Sequence, residues 1–546
     1  MKHSIMDKHG GALIRAALLV LAAAVTAGAE VQLPRVIGNN MVLQRNQPVP
    51  IWGWDQPGQE VTVSLGEHSA SVKAGENGGW LVRLPAREAG GPFDVLISGS
   101  STVELRNVMF GEVWVCSGQS NMEMTSRYST IHPELLPKGA KPIDVPRIRH
   151  LWLPTIMSPK PLGNDSVAEG ITVFGKKAEQ RPAVLMPRPP DRPDLGNYRG
   201  EGWQTNGFYT QVGYWFARRV YQDLRVPIGL IHSSWGGSPV ESWIPAEAME
   251  TIKDLPMGPL TRQPHFRSSV IYNGMIHPLH PYGIRGVIWY QGESNGHEDD
   301  TYVQKKRTMI ESWRNAWGQG DFPFYFVQLP NYVRHGLQPP YAPDTDPAGG
   351  DGWARIREAQ GKAAVRIKNT GMAVTIDIGE AGNIHPRNKR DVGTRLALWA
   401  LRKDYGNKDL VHSGPIYKSM KTVGKTIELT FDHVEGGLMA AKIGELLETR
   451  RRDVFYTEPP EPVDKLEGFA IAGADQKWHW ADAVIRGDKV IVSSGKVDQP
   501  VAVRYAFSKN PQVTLYNKEG LPAAPFRTDT WEFIRYRDHT LSSIVK

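Results

Sequence analysis

The sequence of 546 residues contains a single cysteine, Cys116. One cysteine cannot form a disulfide within the chain, so hydrophobic cores must hold the folded protein together. Cys116 ends the apolar run VWVC, and no basic residue flanks it to lower the pKa of its thiol. We therefore predict a small buried side chain here rather than a thiol nucleophile.

The sequence also lacks dense tracts of lysine and arginine. Its 64 lysines and arginines outnumber 57 aspartates and glutamates, which gives a formal net charge of +7. This excess is small for the length, and nucleic-acid binding depends on a concentrated positive surface. The composition therefore predicts no nucleic-acid partner, and it permits a weak preference for acidic ligands without requiring one.

Long apolar runs are confined to the beginning of the chain. Three basic residues precede an alanine- and leucine-rich run over residues 16–25, and the small residues Ala27-Gly28-Ala29 follow it. This order is typical of a secretory signal peptide over residues 1–29, so we expect cleavage near Ala29 and a periplasmic or extracellular protein. No later apolar run is long enough to cross a bilayer, which predicts no membrane insertion.

The remaining chain divides into three parts by its pattern of apolar residues. Residues 30–108 and 411–546 contain short strand-like runs separated by turn residues, which predicts an N-terminal β-sandwich and a C-terminal β-rich region. In residues 109–410 strand-like runs alternate with helical patterns, which predicts an α/β part with a parallel sheet and helices on both faces. Two stretches, 155–206 and 332–352, are predicted to be long loops that either bind ligand or decorate the fold.

Small and hydrogen-bonding residues follow five strand-like runs of the middle part. In an open α/β sheet, ligands bind beyond the carboxyl ends of the strands, so these residues should meet at one edge. They lie in the segments Ser117–Asn121, Ser233–Ser238, Gln291–Asn295, Asn331 and Glu380–Pro386. The sequence therefore predicts a site at this edge.

This edge offers a candidate for each group that a serine esterase needs. Those groups are a hydroxyl on a tight turn, an imidazole that takes and returns its proton, and N–H donors for the oxyanion. Ser120 is the candidate nucleophile and His385 the candidate base, with Pro386 at the first position of the following helix. The candidate oxyanion donors are the Ser120 N–H, an N–H of Gly236 or Gly237, and the Gln291 side chain.

Each candidate also has a purely structural explanation. Ser120 and Glu123 fit the Ser-x-x-Glu capping box of a helix start, and the other candidates fit a helix cap, a turn and a strand end. The G-x-S-x-G pattern of ordinary α/β-hydrolases is not matched around Ser120, and no H-E-x-x-H zinc pattern occurs. The sequence predicts no metal site and no cofactor, and the common location of the candidates favours catalysis.

Four ordered blocks resemble the sialate O-acetylesterase family, a branch of the SGNH hydrolases. The blocks read GEVWVCSGQSNMEM, PIGLIHSSWGGSPVESW, YNGMIHPLHPYGIRGVIWYQGESN and IHPRNKRDVGTRLALWAL. The segments NNMVLQRNQPVPIWGWDQPGQEVTV and VTLYNKEGLPAAPFRTD are similar to the flanking β-regions of its long bacterial members. With gaps at the two long loops, the resemblance covers most of residues 31–530.

The resemblance implies a flavodoxin-like core and a metal-free serine esterase that removes O-acetyl groups from sugars. By position, Ser120 corresponds to the nucleophile and His385 to the base, while Gly237 (or Gly236) and Gln291 complete the oxyanion hole. The implied partner is an O-acetylated sugar or glycan, either an acetylated sialic acid or a plant polysaccharide such as xylan or xyloglucan.

Two positions depart from the family pattern. Members commonly carry aspartate two residues before the histidine, where this chain has Asn383. An asparagine can orient an imidazole but cannot stabilise its positive charge, so Glu380 and Asp377 are further candidates for the third member of a triad. His277, where we expect a small residue, is a second difference that would reshape the acyl pocket.

Two other functions stay open at this point. Asn383 and the 17 tryptophans, some of which can stack on sugars, fit a catalytically weak or inactive carbohydrate-binding relative. A glycosidase with paired carboxylates is a third possibility, but the strand ends are poor in carboxylates. The resemblance favours the esterase.

Overall fold

The computed structural model describes residues 30–127, 147–162, 172–173, 176–177, 202–205, 207–257, 263–333, 345–449 and 454–532. The predicted signal peptide and the central portions of both predicted long loops lie outside the described residues. Within the described ranges, no helix is both long and apolar enough to cross a bilayer.

The N-terminal part is built from β-strands. They are β1 (Val42–Gln44), β2 (Val49–Trp54), β3 (Glu60–Leu65), β4 (His68–Lys73), β5 (Gly79–Leu84), β6 (Gly90–Ser98) and β7 (Thr102–Gly118). The pair β2–β5 and a sheet of β4, β3, β6, β7 and β1 bury their apolar side chains in one core. Alternate residues of β3 are buried, as expected for a sheet packed on one face. The predicted β-sandwich is present as these two layers.

Strand β7 belongs to two sheets. Its first half pairs with β6, and its last residues, from Glu112 to Gly118, pair with the central sheet of the middle part. The predicted boundary between residues 108 and 109 falls inside this strand, and one hydrophobic cluster extends across it. The division of the chain at this point stays a prediction.

The middle part alternates helices and strands. In chain order they are α1 (Ser120–Glu123), β8 (Thr125–Arg127), β9 (Ile148–Trp152), β10 (Ile156–Met157), β11 (Thr172–Val173), β12 (Lys176–Lys177), β13 (Trp203–Gln204), β14 (Phe208–Thr210), α2 (Gln211–Leu224), β15 (Ile228–Ser234), α3 (Ala246–Met249), β16 (Gly286–Tyr290), α4 (Asp300–Trp317), β17 (Phe324–Val327), α5 (Gly352–Arg366), β18 (Thr370–Ala373) and α6 (Arg390–Lys403). Short 3-10 turns lie at Val240–Trp243, Glu250–Ile252, Pro264–Phe266, His277–Leu279 and Glu293–Asn295, and a π-helical turn at Tyr272–Ile276.

The central sheet has the strand order β13-β9-β15-β7-β16-β17-β18. Its strands run parallel except for the antiparallel edge strand β13. Because β15 lies on one side of β7 and β16 to β18 on the other, right-handed crossovers place the connecting helices on opposite faces. Helix α2 packs against α6, and α4 packs against α5. This arrangement confirms the predicted flavodoxin-like α/β core.

Helix α2 is positioned by its sequence and in turn holds α1. Its residues Val212, Phe216 and Val220 recur every four positions and are buried, which is the spacing of one helix face. Thr210 caps its start by accepting the Gly213 N–H, and the same hydroxyl donates to the Met122 carbonyl at 2.6 Å. The start of α2 is therefore tied to α1, the helix that follows β7.

The C-terminal part is again built from strands. They are β19 (Ile416–Val423), β20 (Thr426–Asp432), β21 (Leu438–Lys442), β22 (Leu446–Glu448), β23 (Phe455–Thr457), β24 (Glu461–Pro462), β25 (Phe469–Gly473), β26 (Trp478–Trp480), β27 (Asp482–Arg486), β28 (Lys489–Ser493), β29 (Pro500–Tyr505), β30 (Leu515–Asn517) and β31 (Phe526–Arg527). Two four-stranded sheets, β19-β20-β28-β27 and β26-β25-β29-β31, bury a second hydrophobic core. The predicted C-terminal β-rich region is confirmed.

Candidate active site

Ser120 is the first residue of α1, directly beyond the carboxyl end of β7. The strand ends at Gly118, whose φ of +131° favours glycine. A Cβ at this position would lie 2.2 Å from the Tyr290 carbonyl oxygen, so a larger residue does not fit. This turn sets Ser120 at the edge of the parallel sheet, half-buried.

The Ser120 hydroxyl contacts the His385 imidazole. His385 Nε2 lies 2.8 Å from Ser120 Oγ, although 265 positions separate the two residues in the chain. At this distance an imidazole can take the hydroxyl proton directly. The structure therefore brings together the two residues that the sequence predicts as nucleophile and base.

The predicted capping box does not form. The N-cap of α1 is Gln119, whose side chain makes no capping hydrogen bond. Glu123 Oε2 instead accepts the backbone N–H of Gly236 at 2.7 Å. This contact ties the loop after β15 to α1 and leaves the Ser120 hydroxyl to His385.

The loop between β18 and α6 carries His385. Asn383 Oδ1 accepts the backbone N–H of His385 at 3.0 Å, so Asn383 orients the loop through the main chain. Helix α6 begins only at Arg390, and the prediction that Pro386 is the first residue of a helix is therefore wrong.

The two carboxylates near His385 are paired with arginines. Glu380 Oε2 accepts from Arg387 Nη2 at 2.7 Å, and Glu380 Oε1 accepts the Arg387 backbone N–H at 2.7 Å. The buried Asp377 pairs with Arg395, with 2.6 Å between Oδ1 and Nη1. Among the hydrogen bonds of the described residues, neither carboxylate reaches the imidazole. The structure does not join Glu380 or Asp377 to His385 as a triad member.

The substitution Glu380→Gln is expected to change kcat by less than about threefold, because it removes a partly exposed ion pair worth about 1 kcal/mol or less. A carboxylate that orients a catalytic imidazole is worth about 10⁴-fold in kcat. Steady-state hydrolysis of an aryl acetate separates the two cases. Asp432→Asn removes another exposed ion-pair carboxylate and is the matched control. A loss near 10⁴-fold confined to Glu380→Gln would make Glu380 the third member after all.

Two glycines after β15 approach Ser120. A Cβ on Gly236 would lie 3.4 Å from Ser120 Cβ, and Gly237 has a φ of +73°, which favours glycine. Glu123 occupies the Gly236 N–H. The backbone N–H groups of Ser120 and Gly237 donate to no other residue in the part of the chain that the structure describes. These two donors are therefore available to an oxyanion.

Gln291 is fully buried, and its amide is engaged elsewhere. Its Nε2 donates to the Ser238 carbonyl at 3.2 Å and to Asn295 Oδ1 at 2.7 Å, while its Oε1 accepts the Tyr302 hydroxyl at 3.0 Å. Both amide hydrogens are thus used, and the structure does not present this side chain as a free oxyanion donor. Gln291 instead supports the loop of Gly237 through Ser238.

Asn121, the residue after Ser120, is the centre of a buried network that the sequence analysis missed. Its Nδ2 donates to the Ile384 carbonyl at 3.0 Å, and its Oδ1 accepts from Lys389 Nζ at 2.6 Å. Both partners lie on the loop that carries His385. The network therefore fixes the position of the turn that carries Ser120 relative to the loop that carries His385.

Glu293 and Lys389 are the ionisable members of this network. Glu293 Oε1 accepts from Asn121 Nδ2, and burial raises the pKa of the Glu293 carboxyl. Burial also lowers the pKa of Lys389 to about 7. Both shifts favour the neutral forms, because an ionised group is costly away from water. The blocks GQSN and QGES point to Asn121 and Glu293 as neighbours of site residues, but no sequence pattern links them to Lys389.

Two other positions singled out in the sequence lie outside this site. Cys116 is fully buried, and burial raises the pKa of its thiol, as the prediction of an unreactive side chain requires. His277 Nδ1 bonds the Leu162 carbonyl at 2.7 Å, and its ring lies near those of Tyr272 and His280. None of these contacts links His277 to Ser120. In the described ranges, no group of three or more His, Cys, Asp or Glu side chains is arranged to hold a metal ion.

Comparisons with known proteins identify relatives over nearly the full chain. Residues 199–402 match the family model described as carbohydrate esterase, sialic acid-specific acetylesterase. The sialate O-acetylesterase of Mus musculus is 31% identical over 572 residues, which covers 93% of this chain and 96% of the mouse protein. The Homo sapiens sialate O-acetylesterase is 28% identical and covers 93% of this chain and 94% of its own length.

A solved structure is similar over most of this chain. The crystal structure of a carbohydrate acetylesterase from Xanthomonas citri matches with a TM-score of 0.70 at 36% identity, and it covers 92% of this chain and 100% of that chain. The similarity therefore includes the flanking β-parts as well as the α/β core. This chain belongs to the sialate O-acetylesterase family and is a carboxylic ester hydrolase.

Proposed function

We propose that the protein removes O-acetyl groups from carbohydrates through an acetyl-enzyme formed on Ser120. The observation that carries this proposal is the 2.8 Å contact between Ser120 Oγ and His385 Nε2 at the carboxyl edge of the parallel sheet. Family membership supplies the class of reaction, the hydrolysis of a carboxylic ester. The geometry supports the nucleophile and the base that this reaction needs.

The first step transfers the acetyl group to Ser120. Ser120 Oγ attacks the carbonyl carbon of the acetyl ester while His385 Nε2 takes the hydroxyl proton. The bond between the carbonyl carbon and the sugar oxygen then breaks, and the imidazolium returns the proton to that oxygen. The sugar leaves as an alcohol, and the acetyl group remains as an ester on Ser120.

The second step hydrolyses this ester. His385 takes a proton from a water molecule as the water oxygen attacks the acetyl carbonyl, and the imidazolium then protonates Ser120 Oγ as it leaves. In both steps the backbone N–H groups of Ser120 and Gly237 donate to the oxyanion, because they have no other acceptor among the described residues. The Gly236 N–H donates to Glu123 Oε2 instead of to the oxyanion, and this contact holds the loop in place.

If an acetyl-enzyme forms, its acetyl group is transferred either to water, which gives acetate, or to added methanol, which gives methyl acetate. A series of aryl acetates with different leaving groups should give the same ratio of methyl acetate to acetate, because one intermediate precedes both products. The measurement is product analysis by gas chromatography at a single methanol concentration. The uncatalysed hydrolysis of the same esters is the control. A ratio that follows the leaving group would mean that water attacks the substrate directly and would overturn the acetyl-enzyme.

The proposed substrates are acetylated sialic acids or acetylated plant polysaccharides such as xylan and xyloglucan. The relatives named above are sialate O-acetylesterases and a carbohydrate acetylesterase, and this supports the class without choosing the sugar. The amount of acetate released from each member of a panel of these glycans ranks them as substrates.

We also propose export after removal of residues 1–29, which N-terminal sequencing of the mature protein tests.

A catalytically inactive carbohydrate-binding relative is the competing proposal. Of the two observations that motivate it, Asn383 and the number of tryptophans, the second is weakened because many of the tryptophans are core residues. The fully buried ones include Trp114, Trp243, Trp289 and Trp313. Glycan binding without acetate release from any member of the panel would favour this alternative.

A further inference from the structure

A second concave site lies in the C-terminal β-region. The pocket has a volume of about 420 Å³ and lies between residues 345–349 and the sheet that contains β25, β26 and β29. Sites for small molecules are typically about 300–1,000 Å³. None of the residues described above around Ser120 and His385 lines this pocket, so it is a separate feature of the molecule.

Trp480 supplies an aromatic wall to this pocket. It is 47% exposed, and the other large apolar side chains exposed in the described ranges are aliphatic. Its Nε1 donates to the Thr345 carbonyl at 3.1 Å, which holds the indole in one orientation. A rigid indole that faces solvent presents a large apolar surface at low entropic cost, as sugar stacking requires.

The rest of the pocket combines an apolar floor with a polar rim. The floor contains the buried residues Phe469, Ala470, Ala506 and Phe507. The rim contains the exposed residues Asp346, Lys465, Glu467 and Gln512. Arg504 also lines the pocket but is paired with Asp529 at 2.9 Å.

The balance of charge around this rim argues against an anionic ligand. Asp346 and Glu467 are negative, Lys465 is positive and lies 3.6 Å from the further carboxylate of Asp482, and Gln512 is neutral. Among the described residues that line the pocket, no cluster of positive charge is therefore available for a phosphate or for the carboxylate of a sialic acid. An apolar floor, a fixed indole and hydrogen-bonding groups of both kinds suit a neutral, hydroxyl-rich ring.

The wall of this pocket is connected to the loop that carries His385. The Lys509 carbonyl, next to the pocket residue Ser508, accepts the Tyr332 N–H at 3.0 Å. The following residue, Val333, donates its N–H to the Ala381 carbonyl at 2.7 Å. Ala381 precedes His385 on the same loop. The pocket and the esterase site are thus linked by a short hydrogen-bonded path of main chain.

We infer that this Trp480 pocket binds neutral sugar rings of the acetylated glycan while an acetyl group elsewhere on the same chain reaches Ser120. The inference rests on the proposed function for the step at Ser120, and it deepens that function by favouring a neutral polysaccharide over a sialylated substrate. The pocket would raise affinity for long substrates without changing the chemical step.

The substitution Trp480→Ala tests the pocket by comparing its effect on a long polysaccharide substrate with its effect on a short ester. It is expected to raise KM for acetylated xylan and acetylated xyloglucan by about threefold to tenfold, the loss of one aromatic contact, with kcat unchanged. The kcat/KM for an aryl acetate, which is too small to span both sites, should stay within about twofold. Val484→Ala is the matched control, because Val484 is 50% exposed on β27, the next strand along the chain, which belongs to the other sheet, and it does not line the pocket. An unchanged KM for both polymers, or an equal loss with the aryl acetate, would overturn the inference.

Binding without turnover separates this inference from the proposed function. Calorimetric titration of the Ser120→Ala protein uses xylohexaose, a deacetylated xyloglucan heptasaccharide and sialyllactose. At least one neutral oligosaccharide should bind Ser120→Ala, its affinity should fall about threefold to tenfold in Ser120→Ala/Trp480→Ala, and sialyllactose should bind more weakly than that oligosaccharide. Lack of binding by both neutral ligands, or equal binding of sialyllactose, would overturn the inference. Esterase activity of Ser120→Ala near the wild-type level would instead count against the proposed function and leave the titration interpretable.

Discussion

Replacing Ser120 with alanine is expected to lower kcat for acetate release by about 10⁴- to 10⁶-fold, because no nucleophile then remains beside His385 Nε2. His385→Ala should cost about as much, since the hydroxyl is a poor nucleophile without a base. The rate is measured with an aryl acetate on purified protein whose circular dichroism matches that of the parent. Retention of wild-type kcat/KM by either folded variant would contradict the assignment.

The control for this loss is Ser117→Ala. Ser117 lies three residues earlier on β7, is fully buried, and its hydroxyl makes no hydrogen bond within the described ranges. Its removal should change kcat by less than about threefold, because surrounding contacts change little.

The double variant Ser120→Ala/His385→Ala should be no slower than either single variant, since the two residues act as a unit. Additive losses would mean that they act in separate steps.

The location of the site could be predicted from the sequence because parallel sheets place ligands at the carboxyl ends of their strands. Ser120 follows the apolar run of β7 and His385 follows that of β18, so each is identified by local pattern. The helix-forming periodicity of α2 is equally local. These features depend on neighbouring residues, which is the information that a single sequence contains.

The partners of individual side chains could not be predicted in this way. Glu123 fits a capping box by spacing, yet the loop after β15 brings the Gly236 N–H to it from 113 positions away. Gln291 fits an oxyanion donor by position, yet both its amide hydrogens are used by buried acceptors. Glu380 is a candidate partner of the imidazole by position, yet it pairs with Arg387. In each case a contact made only by tertiary packing decides between two roles that the local sequence allows equally.

Lys389 shows this limit most clearly and leads to the second large effect. Its Nζ donates to Asn121 Oδ1, 268 positions earlier, and to the Pro386 carbonyl next to His385. Its removal leaves both acceptors buried without a donor, at a cost of roughly 1–3 kcal/mol each. The loop of His385 is expected to move to recover these bonds, which displaces the imidazole from Ser120.

Lys389→Met is therefore expected to lower kcat by about 10- to 100-fold with little change in KM, since a misplacement near 1 Å can cost about 10²-fold. Steady-state kinetics with an aryl acetate measure kcat and KM separately. Lys306→Met is the matched control, because Lys306 is also fully buried but its Nζ makes no hydrogen bond in the described ranges and lies 3.2 Å from the centre of the Phe326 ring. Lys306→Met should retain activity. Equal losses in the two variants would show a general effect of removing a buried lysine.

The pH dependence of stability gives Lys389 a signature that a loss of packing does not reproduce. Burial lowers its pKa to about 7, whereas the unfolded side chain keeps a pKa near 10.4. Between these values the unfolded chain holds a proton that the folded chain has lost, so the contribution of Lys389 to stability rises from pH 7 to about pH 10 and is flat below pH 7. The melting temperature of the parent protein, measured by calorimetry, should therefore rise relative to that of Lys389→Met between pH 7 and pH 10. A difference that stays constant across this interval would mean that Lys389 is charged in the folded protein, and the network would then hold a buried ion pair with Glu293 rather than two neutral side chains.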